Sequence, residues 1–392
     1  MGHGGNGGWT QTSGGGLTYG SVTEPVTLGS GGGRDVNSGY DGGKGGGAIR
    51  LIVGGELRVD GGLRSDGVDC SGLDAGGGAG GSIWVTAGSV TGAGAISASG
   101  GKTLRNGGGG GGGRVALYAD AYLFSGTLKA CGGQGSVYGG AGSIYTKVTG
   151  QPLGDLTYGN CGVTATRAST ELAGPLDLAA NVLVTGGAVV TPTVSGTMHL
   201  EVPGAVRSET TGVISASWYG YASSTGPGEG GDQIDGGGGG HGGNGGWTQT
   251  SGGGLTYGSV TEPVTLGSGG GRDVNSGYDG GKGGGAIHLI VGGELRVDGG
   301  FRSDGVDCSG LDAGGGAGGS IWVTAGSVTG AGAISASGGK TLRNGGGGGG
   351  GRVALYADAY LFSGTLKACG ARFGLAAPAA STPRSPDNRS VT

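Results

Sequence analysis

Six aspartates are the residues whose type and spacing best suit metal chemistry. They lie in the segment RSDGVDCSGLDAGG, which occurs at 64–77 and again at 302–315. Several carboxylates on one loop suit Ca²⁺, a hard cation that takes roughly six to eight oxygen ligands. The sequence therefore predicts a calcium loop in each segment, with tight turns built from Asp and Gly as the alternative. The candidate ligands are Asp66, Asp69, Asp74, Asp304, Asp307 and Asp312.

Acid–base catalysis on a polysaccharide would need a different arrangement of charged groups. A glycoside hydrolase uses two carboxyl groups at a defined separation, and a lyase needs a basic proton acceptor. The predicted strands carry a few basic residues and otherwise mostly Ser, Thr and Ala, whereas the acids lie in predicted loops. These basic residues are Arg50, Arg58, Arg64, Arg114 and Lys129. We therefore expect no catalytic residues and no enzyme, with a carbohydrate-active enzyme as the alternative.

Histidine and cysteine give little further indication of a site. His3, His199, His241 and His288 are few and scattered, so no metal site is predicted from them, and no organic cofactor is predicted. We expect His288 to be a solvated surface residue on the outward side of a strand.

The number of cysteines is odd, at five. Cys131 and Cys161 occupy related positions in successive modules, so they are candidates for a disulfide in an oxidising compartment. Isolated buried thiols are the alternative for the same residues.

Aromatic residues occur in the glycine-rich segments that precede the strands. They suit stacking on sugar rings, as in an adhesin, and they equally suit anchoring of these segments to the protein body, which we favour. The residues are Trp9, Trp247, Tyr19, Tyr40, Tyr257 and Tyr278.

A long internal repeat determines how these residues are positioned. Residues 2–132 recur 238 positions later at 240–370, with only two differences. Arg50 becomes His288, and Leu63 becomes Phe301. Such a copy indicates a tandem array of long units, in which neighbouring units share a core.

A shorter module repeats inside each long unit. Its anchors Ile49, Ile83, Val115 and Ile144 follow one another at spacings of 34, 32 and 29. Apolar residues alternate with others along the first strand, which is the period of two expected for β-structure. Three short strands per module, stacked along one axis, predict a parallel β-helix. The run of seven glycines at 107–113 is interpreted as an inter-coil loop, with polyglycine-II-like extended rods as the alternative.

The strings GGSIWVTAGSVTGAGAISASGG, GGGGGGGRVALY and FSGTLKACGG resemble the Gly-rich β-helical repeats of very large secreted or surface proteins. This resemblance covers roughly residues 2–370 and implies an all-β, right-handed parallel β-helix of the pectin-lyase-like kind. It also implies a structural or adhesive role, and an extracellular or cell-surface location for the parent protein.

Four regions follow from the repeat. We expect a first solenoid copy at 1–160, less glycine-rich coils with a flexible glycine-rich excursion at 161–240, and a second copy at 241–370. The remaining residues, 371–392, contain three of the ten prolines and are expected to form a disordered or aberrant tail. We interpret the chain as a fragment, because neither a signal peptide nor a capped solenoid end is visible.

Composition limits the remaining classes of function. Glycine supplies 113 of 392 residues, which leaves a disordered glycine-rich matrix protein as a further alternative. The formal charge of −4 is spread along the chain, and no long apolar run occurs, so we expect neither nucleic acid as a partner nor a membrane span. The expected partners are a surface polysaccharide or neighbouring repeats of the same protein.

Overall fold

The computed structural model describes residues 2–8, 14–163, 169–172 and 179–371, together with the backbone of a strand at 381–384. Within these residues the protein is all-β, and no segment forms a helix that is long and apolar enough to cross a membrane. The chain divides into two compact units. Unit 1 comprises Met1–Thr191 and Thr211–Val213, and unit 2 comprises Pro192–Thr210 and Ile214–Thr392.

Unit 1 is built from long strands that alternate with short ones. They are β1 (Ala48–Arg58), β2 (Gly62–Arg64), β3 (Ser82–Thr91), β4 (Ala95–Ser97), β5 (Arg114–Tyr122), β6 (Thr127–Lys129), β7 (Ser143–Val148), β8 (Gly154–Gly159), β9 (Ser169–Glu171), β10 (Ala179–Thr185) and β11 (Val189–Thr191).

The strands that follow β11 lie before, within and after the second copy. They are β12 (Thr197–Val202), β13 (Val206–Ser208), β14 (Val213–Ser215), β15 (Ala286–Val297), β16 (Gly300–Arg302), β17 (Ser320–Thr329), β18 (Ala333–Ser335), β19 (Arg352–Tyr360), β20 (Thr365–Lys367) and β21 (Ser381–Arg384). The last of these lies in the segment expected to be a disordered tail, and it pairs in parallel with β19. Residues 372–380 and 385–392 of that segment lie outside the described residues.

The long strands of unit 1 pair in the order β1, β3, β5 and β7, all in parallel. Ile49 pairs with Ile83, Ile83 with Val115, and Val115 with Ile144, so the register predicted from the module anchors is confirmed. The short strands β2, β4 and β6 form a second parallel sheet. Each of the first three modules thus contributes one strand to each of the two sheets.

Apolar side chains on one side of these strands form the core of unit 1. Alternate residues of a strand point to opposite faces, so a constant register stacks each apolar position on its equivalent in the next module. Burial of such a side chain contributes roughly 1.5–3 kcal/mol. The fully buried members include Ile83, Val85, Val90, Ile96, Val115 and Leu117.

Two details differ from the predicted module. The structure has two strands per module instead of three, because the first two predicted strands join into β1, whose register shifts between Val53 and Glu56. In addition, β7 pairs with β8 in an antiparallel manner, while β8 and β10 are parallel again. The predicted coils of 161–240 do contain strands, although 164–168 and 173–178 lie outside the described residues.

The seven-glycine run at 107–113 is buried along its whole length. Its hydrogen bonds are to several neighbouring segments, and every third residue faces the same segment. This period of three is that of an extended polyproline-II-type helix, which has no internal hydrogen bonds. The bonds run from Gly77 and Gly80 to the carbonyls of Gly108 and Gly111, from Gly109 and Gly112 to those of Val137 and Gly140, and from Gly110 and Gly113 to those of Gly101 and Ala98.

The run is therefore an interior element and not an exposed connection, which favours the polyglycine-II-like alternative over the inter-coil loop. A Cβ atom on Gly110 would overlap the carbonyl oxygen of Gly78, so only glycine permits this backbone spacing. The predicted flexible excursion is corrected in the same way. Residues 236–240 are buried, and Gly236 and Gly239 donate to the carbonyls of Asp312 and Gly315.

Candidate functional site

The predicted calcium ligands of the first copy lie side by side in the segment 66–74, and each bonds to the module that follows. One carboxylate oxygen of Asp66 accepts from the amide of Ser99 at 2.7 Å and from the Ser97 hydroxyl. Asp69 accepts from the amide of Lys102 at 2.7 Å. Each carboxylate thus binds the backbone of the module that follows it, about one repeat later in the sequence.

The same bonds recur throughout the aspartate set. Asp74 accepts from the amide of Asn106 at 3.2 Å. In the second copy, the acceptors Asp304, Asp307 and Asp312 are paired with the amides of Ser337, Lys340 and Asn344. Among the described residues, no three His, Cys, Asp or Glu side chains converge as metal ligands. Geometry therefore favours a role for these aspartates in connecting modules, and calcium binding stays a prediction.

A groove lies on the outward face of β15, β17 and β19 in unit 2. It is open and has a volume of about 610 Å³. Outward positions on neighbouring strands supply its floor, because Ile290 pairs with Thr324, and Thr324 pairs with Tyr356. The lining residues are Glu262, Ile290, Val291, Gly292, Trp322, Thr324, Ala325, Gly326, Tyr356 and Asp358.

The aromatic residues of this groove are held in place by neighbouring groups. The Tyr356 hydroxyl donates to the carbonyl of Thr261 at 2.8 Å, next to the groove carboxylate Glu262. The Trp322 indole is stacked on His288, with ring centroids 3.9 Å apart and an interplanar angle of 9°. A fixed aromatic surface beside two carboxylates suits a sugar ring. The C–H bonds on one face of such a ring would pack on the aromatic side chains, and its hydroxyl groups would donate to the carboxylates.

Unit 1 carries the same outward residues with one difference at the tryptophan. The Arg50 guanidinium lies over the ring of Trp84, 4.1 Å from its centroid, where unit 2 has the stacked His288. The Tyr118 hydroxyl donates to the carbonyl of Thr23 at 3.0 Å, and burial raises the pKa of Tyr118 to about 12. Arg50 in unit 1 and His288 in unit 2 therefore both place a planar group on the tryptophan indole. The group is a guanidinium cation in unit 1 and an imidazole ring in unit 2.

The histidines are less scattered in the fold than in the sequence. His199 on β12 and His288 on β15 are paired residues, and their Nδ1 atoms are 2.9 Å apart. Glu201 lies 3.1 Å from Nε2 of His199. Burial and the neighbouring His199 lower the pKa of His288. The expectation that His288 is a solvated residue is wrong, because it is half-buried and contacts both His199 and Trp322.

The other two histidines are structural. The Nδ1 atom of His3 is 2.8 Å from the carbonyl oxygen of Gly80, and its Nε2 atom is 2.7 Å from the hydroxyl of Thr27. His241 has the corresponding partners in the second copy. Both rings are fully buried, and burial lowers the pKa of each to about 4.

Two of the strand-borne basic residues have partners within the fold. The Nε atom of Arg58 is 2.6 Å from a carboxylate oxygen of Asp60. Arg114 is buried and donates to the carbonyl of Tyr19 at 2.9 Å. These two guanidinium groups therefore bond to neighbouring parts of the protein.

The structure joins Cys131 and Cys161 in a disulfide, with their Cα atoms 5.8 Å apart. This is the pairing expected from their related positions in successive modules. Cys70 and Cys308 are buried thiols, and Cys369 is an exposed thiol. The disulfide fixes two successive modules of unit 1 to each other.

The loop aromatics differ in whether they are bonded to the protein body or exposed. The Tyr19 hydroxyl donates to the carbonyl of Leu28 at 2.6 Å, and Tyr257 makes the equivalent bond, so both anchor their segments. Trp247, Tyr40 and Tyr278 are exposed, and Trp9 lies outside the described residues.

Sequence reasoning missed the groove tryptophans and tyrosines. A signal was present, because Trp84 follows the inward Ile83, and a period of two then directs Trp84 and Thr86 outward. No family model matches the chain, and no curated protein and no solved structure is detectably similar to it.

Proposed function

We propose that the protein is a non-enzymatic structural and adhesive repeat segment of a large secreted or cell-surface protein. Its fold in this proposal is a right-handed parallel β-helix of the pectin-lyase-like kind, filled by glycine-rich backbone. The single observation that carries the proposal is the constant parallel register between modules, in which Ile49, Ile83, Val115 and Ile144 stack in order. Stacked modules of this kind share one core and can be extended by further copies.

The connections between modules support the structural part of the proposal. The aspartate carboxylates bind the backbone of the following module, and the buried glycine run bonds to several segments at once. The aspartate bonds, and the bonds of the glycine run that lie within the repeated sequence, recur in the second copy, so they depend on the repeat and not on a local feature. The paired Cys131 and Cys161 support an oxidising, and hence extracellular, location.

The outward groove supports the adhesive part. Trp322 and Tyr356 offer aromatic faces, and Glu262 and Asp358 offer acceptors for hydroxyl groups. A neutral or amino-substituted polysaccharide fits these groups, whereas an acidic polymer would meet two carboxylates of its own charge. The open groove suits binding along a chain more than enclosure of a small molecule.

A second candidate function is hydrolysis of such a polysaccharide. It is favoured by one observation, that Glu262 and Asp358 line the same groove, since glycoside hydrolases act through two carboxyl groups. The two candidates differ in whether sugar is released.

Affinity electrophoresis in a panel of neutral and amino-substituted polysaccharides tests both, with released reducing ends measured in parallel. The proposal predicts that at least one polymer retards the protein and that no sugar is released. The double variant Tyr356→Ala/Tyr118→Ala, which alters the equivalent tyrosine of both copies, should lose this retardation. Tyr278→Ala, an exposed tyrosine outside the groove, is the matched control and should be retarded normally. Sugar release that disappears in Asp358→Asn would favour the hydrolase, and no retardation by any polymer would contradict adhesion.

A further inference from the structure

Strand β1 is the edge strand of its sheet, and its equivalent in the second copy is not. The order of the sheet in unit 1 begins with β1, whereas β15 is paired on both sides. On one side β15 pairs with β17, as β1 does with β3. On the other side β15 pairs in parallel with β12 and β13. Two nearly identical sequences therefore differ in what lies beside them.

The inward residues of β1 are more exposed than those of β15, which has neighbouring strands on both sides. The inward residues Ile49, Leu51, Val53 and Leu57 of β1 are only half-buried, although they pack on the core of unit 1. Their equivalents in β15 are 0–2% exposed: Ile287, Leu289, Val291 and Leu295. A long apolar edge strand with half-buried core residues is a surface that favours pairing with another strand.

The glycines give the same comparison at the level of the backbone. At Gly47, Gly54 and Gly55, no atom of the described residues lies within 4 Å of the position that a Cβ would take. In the second copy the corresponding positions are crowded by the backbone of the covering segment. The contacting pairs are Gly285 with Gly196, Gly292 with Pro203, and Gly293 with Gly204.

We propose that the exposed edge of β1 and β2 binds a segment with the sequence of residues 192–216, contributed by another repeat unit of the same sequence. This inference rests on the proposed function as a repeat segment, and it identifies the partner of that segment. The register is the one in unit 2, where Met198 pairs with Ile287 and Val206 with Leu295. Transferred to unit 1, Met198 of the incoming segment pairs with Ile49, and Val206 pairs with Leu57.

Charges on β1 fit this occupant. In unit 2, Arg207 lies 3.2 Å from Glu294, and the residue equivalent to Glu294 in β1 is Glu56. His199 would lie opposite Arg50, with Glu201 as the diagonal neighbour of that arginine. Diagonal neighbours in a sheet are close enough for long side chains to meet, so Glu201 and Arg50 form a favourable pair.

Hydrogen exchange on a lengthened chain tests this proposal. Residues 192–239 are placed directly before Gly2, because Gly240 corresponds to Gly2 and the natural spacing to the next long strand is then kept. Exchange is followed by mass spectrometry in the peptide 48–58. This peptide differs in mass from 286–296 because Arg50 replaces His288. The proposal predicts that the added segment slows exchange in 48–58 by roughly tenfold or more, to the rate in 286–296.

The matched control carries Leu200→Asp and Val202→Asp in the added segment only, since both side chains are buried where β12 covers β15. It should leave exchange in 48–58 at the rate of the unlengthened chain. Unchanged exchange with the natural segment, or equal slowing with the control, would overturn the proposal. Rapid exchange throughout β3 and β5 in the unlengthened chain would instead overturn the proposed function, and this inference with it.

Discussion

Replacement of Gly110 by alanine is the sharpest test of the buried glycine run. The amide of Gly110 donates to Gly101 at 3.0 Å, and its carbonyl accepts from Gly133 at 2.7 Å. A Cβ on this residue would overlap the carbonyl oxygen of Gly78, so one of the backbone segments must move. Overpacking costs roughly 1–3 kcal/mol, and each hydrogen bond that is lost costs about 1 kcal/mol.

We therefore expect Gly110→Ala to lower the free energy of unfolding of unit 1 by roughly 2–5 kcal/mol. Gly54→Ala is the matched control, because no atom in the part of the chain that the structure describes lies within 4 Å of its Cβ position. This control should be neutral, or more stable by up to about 1 kcal/mol through a more restricted unfolded chain. The assay is equilibrium urea unfolding followed by circular dichroism, in which the two midpoints should differ by roughly 1 M or more. Equal midpoints would refute the close packing of the run.

Three further perturbations test other parts of the structure. Asp66→Ala should destabilise unit 1 by roughly 1.5–3 kcal/mol through loss of a charged acceptor. If the aspartates only connect modules, the melting temperature of the unaltered protein is the same in EDTA and in millimolar Ca²⁺, whereas a higher melting temperature in Ca²⁺ would confirm the calcium prediction. Burial lowers the folded-state pKa of His241 to about 4 from its usual value of 6.5, so the unfolded chain binds more protons between these two pH values. Stability should be complete above pH 6.5 and fall as the pH drops towards 4, by at most about 3 kcal/mol per buried histidine, and a flat profile of melting temperature against pH would contradict this. Cys131→Ser should cost unit 1 about 2–4 kcal/mol, measured as the urea midpoint with and without reductant, and an unchanged midpoint would argue against the disulfide.

The repeated pattern of apolar residues was sufficient to predict the pairing of the long strands. A period of two identifies the inward residues, and a shared spacing between modules identifies the register, as with Ile49 and Ile83. Both signals are local in sequence, and a buried face strongly selects one register. The merging of two predicted strands into β1 was not predictable in this way, because Gly54 and Gly55 suit a turn and an irregular strand equally well.

The glycine interior and the histidine pair depend on contacts that local patterns do not encode. Glycine has no side chain whose burial a pattern could reveal, so a buried run and an exposed run look alike in sequence. His199 and His288 are far apart in the chain and meet because β12 pairs with β15. The groove residue Trp322 could be predicted only in part. Alternation along the strand predicts that its side chain points outward, whereas its stacking on His288 is visible only in the fold.

Hydrogen exchange of the glycine run tests the central claim most directly, which is that glycine-rich backbone forms the interior of a stack of parallel modules. The relevant peptide spans 106–114, and its copy spans 344–352. Buried and bonded amides at 109, 110, 112 and 113 should exchange as slowly as those of β5. Complete exchange of this peptide within seconds, while β5 stays protected, would show a solvated loop and contradict the account.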